Sequence, residues 1–196
     1  MPALGTFLLY LALFASVYAV IAGTIAGRTR RLDLILSSER AITAQFVLVA
    51  ICFVLLEYFF LTDRFDVYFV AKSSSRHLPT LYKVTALWSA MEGSLLLWSL
   101  VLASFTFFAV HIVKRRRGPG AAYATAIMAA NQVFFLGIIL LYENPFHLIS
   151  DVESVPVGFA PSDGQGMNPL LVHPVMAIHP PILYCGYVGF VVPFAF

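Results

Sequence analysis

Residues Leu87 to Arg117 read LWSAMEGSLLLWSLVLASFTFFAVHIVKRRR, and this stretch decides the fold. From Leu87 to Val113 the only ionisable side chains are Glu92 and His111, and four cations follow at once. A hydrocarbon core about 30 Å thick needs roughly 20 residues of helix, which the run supplies. Three other runs are of the same kind: Leu4 to Ala26, Ala41 to Leu61 and Ala122 to Tyr142. A fifth begins near Ile182 and continues to the last residue, Phe196. Those 15 residues are too few to cross, so they read as the start of a fifth helix. The chain then reads as a fragment, or as a subunit completed by another polypeptide.

The composition agrees. Of 196 residues, 60% are apolar and 11% charged, against about 25% charged in soluble domains. A bilayer forces backbone groups to pair within each span. The expected fold is therefore all-α, a polytopic membrane helix bundle forming one domain over residues 1–196. Its first run lacks a basic leader and is longer than a signal-peptide core, so a retained helix is expected. Cys52 and Cys185 lie in apolar runs with no CxxC or metal-ligand spacing, which leaves them as packing residues.

Lysine and arginine set the orientation. Arg28, Arg30, Arg31 and Arg40 surround the first connection, and Lys114, Arg115, Arg116 and Arg117 fill the third. Only Arg64, Lys72, Arg76 and Lys83 lie in the second, and the fourth has none. The bias places the first and third connections in the cytoplasm. The N-terminus and two longer loops, 62–86 and 143–181, then face outward. The basic runs are topology signals in contact with lipid, and no nucleic-acid partner is implied.

The outer loops hold the candidate chemistry. In the first, Asp66 to Ala71 alternates, which fits a short strand or an irregular loop, and His77 reads as solvated. The second changes from acidic to apolar at Asn168, continuing NPLLVHPVMAIHPPILYCGYVGF to Phe190. Pro180 and Pro181 bias His179 towards extended backbone, at the mouth of the helix expected from Ile182. An imidazole on so stiff a neck suits an axial ligand to haem; a capped helix start with an interfacial histidine is the plainer alternative. His173 and His179 are six apart and do not share a helix face, so the two do not chelate one metal. Glu92 is either a functional carboxylate in an apolar span or a first-turn acid complementing the helix dipole. Gly93 and Ser94 admit a close neighbour. Trp88 and Trp98, ten residues apart, cannot both sit in the outer aromatic belt. Glu57 and Glu143 lack a basic partner in register.

Two segments carry a resemblance: KVTALWSAMEGSLLLW, Lys83 to Trp98, and NPLLVHPVMAIHPPILYCGYVGFVVPFAF, Asn168 to Phe196. With Val70 to Tyr82 they resemble the N-terminal portion of the CcmF/NrfE family, membrane proteins of bacterial-type (System I) cytochrome c maturation. The resemblance covers the whole chain. It departs from the family at Met91, Ser89 and Val172-His173.

The resemblance implies a component of a haem lyase that binds haem at the outer face and assists its attachment to the CxxCH thiols of apocytochrome c. It marks His179 as an axial ligand to haem b before attachment. Pro180, Pro181, Asn168, Pro169 and Tyr184 would support that ligand. Trp88, Glu92, Gly93 and Trp98 would serve as packing or haem-wall residues. Implied partners are apocytochrome c, a haem-delivery chaperone complex, a thiol-handling CcmH-type subunit and the WWD-bearing remainder of the family protein. The implied location is the bacterial inner membrane with a periplasmic active face, or the mitochondrial inner membrane for an organellar protein. Two readings from other classes stay open: a structural assembly subunit that binds no haem, and an ion-translocating subunit.

Overall fold

A computed structural model describes residues 1–112 and 118–196. The described residues form helices and no strand. Helix α1 spans Pro2–Thr29, α2 Leu32–Leu61, α5 Met91–Ile112 and α6 Pro119–Leu141. Short helices α3 (Tyr68–Ser73) and α4 (Thr80–Ala86) lie between α2 and α5. After α6 come α7 (Ile149–Val152), a 3-10 turn at Pro169–Leu171, α8 (Pro174–Gly189) and α9 (Val191–Ala195). Five helical stretches are long and apolar enough to cross a membrane, the fifth being Pro174–Ala195. The protein is a polytopic helical membrane protein.

The bundle is built on α1, which packs against both α2 and α6. Its inner face is made of small residues: Gly5, Ala12, Ser16, Ala19, Ala22, Gly23 and Ala26 are buried. Lipid tails are as apolar as leucine, so helices associate through close van der Waals contact, which small residues permit. A Cβ at Gly23 would stand 3.0 Å from the Ala122 carbonyl oxygen of α6. Towards one end the core thickens into Leu56, Phe59, Phe60, Phe69, Phe146 and Ile149.

That end gathers the N-terminus and both long connections. The Asn144 side-chain amide donates to the Thr6 hydroxyl at 3.1 Å, and Val67 and Leu148 form an antiparallel bridge. The Arg30–Arg31 turn lies at the other end, where Gly27 of α1 meets the Tyr123 ring. Residues Val113 to Arg117, and with them the basic run of the third connection, lie outside the described residues.

Several boundaries differ from expectation. The first connection is two residues long, because α1 runs through Arg28 and α2 begins at Leu32, well ahead of Ala41. A polar side chain in that added segment bonds within the helix: Ser38 Oγ donates to the Ile35 carbonyl, which offsets the polarity that breaks the apolar run. The third span starts at Met91 rather than Leu87, since Leu87 to Ala90 form a turn.

Loop 62–86 is folded. Asp66 to Ala71 is neither strand nor irregular surface. One bridge residue, Val67, leads into α3, whose Phe69 and Val70 face the core and whose Phe69 meets Phe60 edge-on at 5.1 Å. The largest correction concerns the fifth helix. It begins at Pro174, eight residues before Ile182, and at 22 residues it is long enough to cross.

Candidate functional site

His179 is helical. The extended neck expected ahead of the two prolines does not form, because α8 starts at Pro174 and carries Pro180 and Pro181 in its interior. The start is set by His173, whose backbone is extended (φ −148°) and whose Nδ1 accepts from the Val175 N–H at 3.2 Å. Pro174 occupies the first helical position, where a missing N–H costs nothing. Asn168 and Pro169 build the preceding turn, with Asn168 Oδ1 accepting from the Leu170 N–H at 3.0 Å.

Interior prolines remove helix hydrogen bonds. Pro180 cannot donate to the Met176 carbonyl, nor Pro181 to that of Ala177. The second of these orphans has a replacement donor: Trp88 Nε1–H donates to the Ala177 oxygen at 3.1 Å. The residue pair that looks like a helix breaker thus exposes an acceptor, and an indole of the preceding turn fills it.

This contact opens a seam between α5 and α8. About two helical turns further along α8, the Tyr184 hydroxyl donates to Ser94 Oγ at 3.3 Å, and Ser94 Oγ donates to the Trp88 carbonyl at 3.0 Å. The Trp98 ring lies between Tyr184 (5.0 Å) and Phe135 of α6 (5.4 Å). Both tryptophans therefore face protein, one at each level of the seam. Ala177 and Val188 are the buried residues of α8.

Glu92 and Gly93 point to other neighbours. Glu92, nearly buried, pairs with Lys72 of α3 at 3.2 Å. The close neighbour that Gly93 admits is the Leu87 carbonyl, which a Cβ would overlap. These two residues hold loop 62–86 and the 87–90 turn against α5, and Trp88, Ser94, Trp98 and Tyr184 hold α8.

On the opposite side of α8, His179 is exposed, and neither ring nitrogen has a hydrogen bond or ion pair among the described residues. Its surroundings are apolar and open: Val175, Ile178, Ile182 and Leu183 are exposed. His147 differs, with Nδ1 3.9 Å from Asp151 Oδ2, as does His111, whose Nδ1 lies 2.8 Å from the Phe107 carbonyl. His77 is exposed. A single free imidazole above an apolar face fits one axial bond to the iron of a flat apolar ring. Among the described residues no group of three or more His, Cys, Asp or Glu side chains gathers to hold an ion by itself.

Sequence reasoning missed the Ala177 carbonyl, although the signal was present: a proline at position i always orphans the carbonyl at i−4. It missed Lys72 as the partner of Glu92 because no helical spacing links residues 20 apart.

Comparison with known proteins follows the same residues. The chain is similar to the cytochrome c-type biogenesis protein CcmF of Pseudomonas fluorescens, 40% identical over all of this chain and 28% of that protein. CcmF of Escherichia coli is 40% identical over 200 aligned residues, again all of this chain and 29% of that protein. NrfE of Haemophilus influenzae is 34% identical with the same coverage. A solved structure of the cytochrome c haem lyase CcmF superimposes with a TM-score of 0.79 at 26% identity, covering all of this chain and 29% of that one. The chain spans less than a third of the length of these relatives. A family model described as Cytochrome C assembly protein matches residues 88–196. That match starts at Trp88 and takes in the whole α5–α8 seam, more than half of the sequence, so the chain belongs to the cytochrome c assembly protein family.

Proposed function

We propose that this chain works in cytochrome c maturation as the part of a haem lyase that presents haem b to apocytochrome c, with His179 as one axial ligand. The observation that carries the reading is the His179 imidazole, exposed and unengaged, on a helix fixed from behind by Trp88, Trp98 and Tyr184. A ligand on a helix so held has little freedom to lose on binding, which lowers the ordering cost. The substrate haem offers two vinyl groups, across each of which a CxxCH thiol adds to give a thioether. The protein's share is to hold, orient and shield. His179 would hold the iron. Val175, Ile178, Ile182 and Leu183 would lie against the ring and keep water from it, and Pro180 and Pro181 keep the backbone beneath it rigid. Asn168 and Pro169 shape the approach to α8.

In this reading the end that carries the N-terminus, α3, α4 and the 143–173 connection faces the periplasm, and the protein lies in the bacterial inner membrane. The second axial ligand and the WWD segment would come from the remainder of a longer family protein. Haem would arrive from a chaperone complex, and the apocytochrome thiols would be kept reduced by a CcmH-type subunit.

The test is a reduced-minus-oxidised absorption spectrum of the full-length protein captured from its native membranes, wild type against His179→Ala and His173→Ala. A b-type signal lost or shifted with His179→Ala and kept with His173→Ala supports the role. A signal indifferent to His179 refutes it.

A further inference from the structure

Loop 62–86 and the connection after α6 carry opposite net charge, and their pairing leaves a remainder. Arg64 is bound twice to Asp66, at 2.8 and 2.7 Å, Lys83 to Asp63 at 2.6 Å and Lys72 to Glu92 at 3.2 Å. The Arg76 guanidinium lies over the Phe65 ring. Residues 143–173 bring four carboxylates, Glu143, Asp151, Glu153 and Asp163, and no lysine or arginine. Asp163 is satisfied by the backbone N–H groups of Arg76 and Gly164. Asp151 accepts from the Leu148 N–H at 3.0 Å, with His147 3.9 Å away. The side chains of Glu143 and Glu153 have no hydrogen bond or ion pair among the described residues.

Each of the three carboxylates left without a cation of Lys or Arg lines a cavity of its own. Glu153 lines one of about 140 Å³, Glu143 one of about 200 Å³ and Asp151 one of about 310 Å³. The first two share Tyr68 as a wall, and the second and third share Asn144 and His147, so the cavities adjoin in a row. Every one also has an aromatic wall: Phe159 in the first, Tyr142 in the second and Phe146 in the third. A carboxylate set beside aromatic surface suits a long basic side chain, whose stem lies on the apolar wall while its head meets the charge. Along the same connection Val152, Val157 and Phe159 are exposed, Val157 to 92%.

We infer that this row of cavities is a docking groove for an extended polypeptide segment that carries several lysines or arginines. Side chains on one face of an extended chain recur about every 7 Å, so one segment can serve adjoining cavities. The carboxylates are divided among separate cavities, and among the described residues no three His, Cys, Asp or Glu side chains gather around one point, which disfavours a metal ion as the cation. A polyamine carries the charges but leaves Val157 and Phe159 in water, whereas a polypeptide covers them; that apolar margin selects the occupant. The inference is independent of any role for His179.

The experiment follows the fluorescence anisotropy of a labelled decapeptide of alternating lysine and alanine on the full-length protein in neutral detergent. We expect it to bind about tenfold tighter than the same peptide with acetylated lysines, which keeps the backbone and removes the charge. Glu143→Gln combined with Glu153→Gln should weaken the lysine peptide about tenfold, the share of two solvent-touched ion pairs. A second measurement leaves the charges intact and replaces Val152, in the wall of the middle cavity, with the photoreactive residue p-benzoylphenylalanine. Irradiation should join the lysine peptide to this position and not to the same residue placed at Leu32, at the opposite end of α2. Equal binding of the lysine and acetylated peptides, affinity indifferent to the Glu143 and Glu153 changes, or equal adducts at Val152 and Leu32 would overturn the inference. So would spermidine displacing the peptide at concentrations no higher than the peptide itself needs.

Discussion

Trp88→Phe keeps an aromatic ring in the 87–90 turn and removes one donor, the indole N–H bonded to the Ala177 carbonyl. That carbonyl has no helical alternative, because position 181 is proline. Leaving a buried acceptor unpaired costs about 1–3 kcal/mol. The cost falls on a helix with little else to hold it, since only Ala177 and Val188 of α8 are buried. Local opening of α8, rather than global unfolding, should therefore register the loss. Hydrogen exchange of α8 amides in the detergent-solubilised full-length protein should speed up by roughly five- to a hundredfold. The decisive variant is Pro181→Ala, which restores an N–H four residues after Ala177. In that background Ala177 has its own helix donor, and Trp88→Phe should cost less by about 1 kcal/mol, the coupling typical of residues in contact. Equal acceleration by Trp88→Phe in both backgrounds would refute the idea that the prolines create the acceptor the indole serves. No acceleration in either would refute the hydrogen bond itself.

Gly93→Ala should lower the amount of folded protein in the membrane sharply, by about 3 kcal/mol or more of stability, since the new Cβ overlaps the Leu87 carbonyl and the turn must move; quantitative immunoblotting of membranes checks this. Lys83→Met removes the partner of Asp63 in a pair whose side chains are 11% and 26% exposed, and should cost about 1–2 kcal/mol, read as a lower melting temperature in detergent. Asp163 accepts from the backbone N–H groups of Arg76 and Gly164, each at 2.8 Å, and these bonds hold its carboxyl below the ordinary value. Its contribution to docking residues 163–166 on α3 is therefore complete above about pH 4 and is lost as pH falls through the lower folded value. Exchange at the Arg76 and Gly164 amides, corrected for intrinsic rates, should rise on acidification in the wild type, whereas in Asp163→Asn it should show no such pH dependence.

What could be read from the sequence was whatever a single helix decides for itself. The runs at Leu4, Ala41, Leu87 and Ala122 announce spans because a bilayer leaves a 20-residue apolar segment no other backbone solution. Their ends were harder, because ends depend on small local bonds. Ser38 returns a hydrogen bond to the helix that carries it, so α2 passes through a polar patch where hydropathy alone would stop it. The backbone at His179 was misjudged for the opposite reason, since an X-Pro-Pro step prefers an extended residue. The preference is local and worth little beside a helix whose broken bonds are repaired from outside. His173 caps the start, Pro174 takes the position where proline is welcome, and Trp88 answers the Ala177 carbonyl. Two of these repairs come from residues noted in the sequence for another reason: His173 for its spacing of six from His179, and Trp88 for its spacing of ten from Trp98. The consequence for function is geometric. A histidine on an extended neck would be aimed by its own loop, whereas a histidine in mid-helix is aimed by the packing of that helix. If His179 serves the proposed role, its aim would be set on the far side of α8, by Trp88, Trp98, Ser94 and Tyr184, and a substitution in that seam would alter the absorption spectrum of the haem-loaded full-length protein without touching haem.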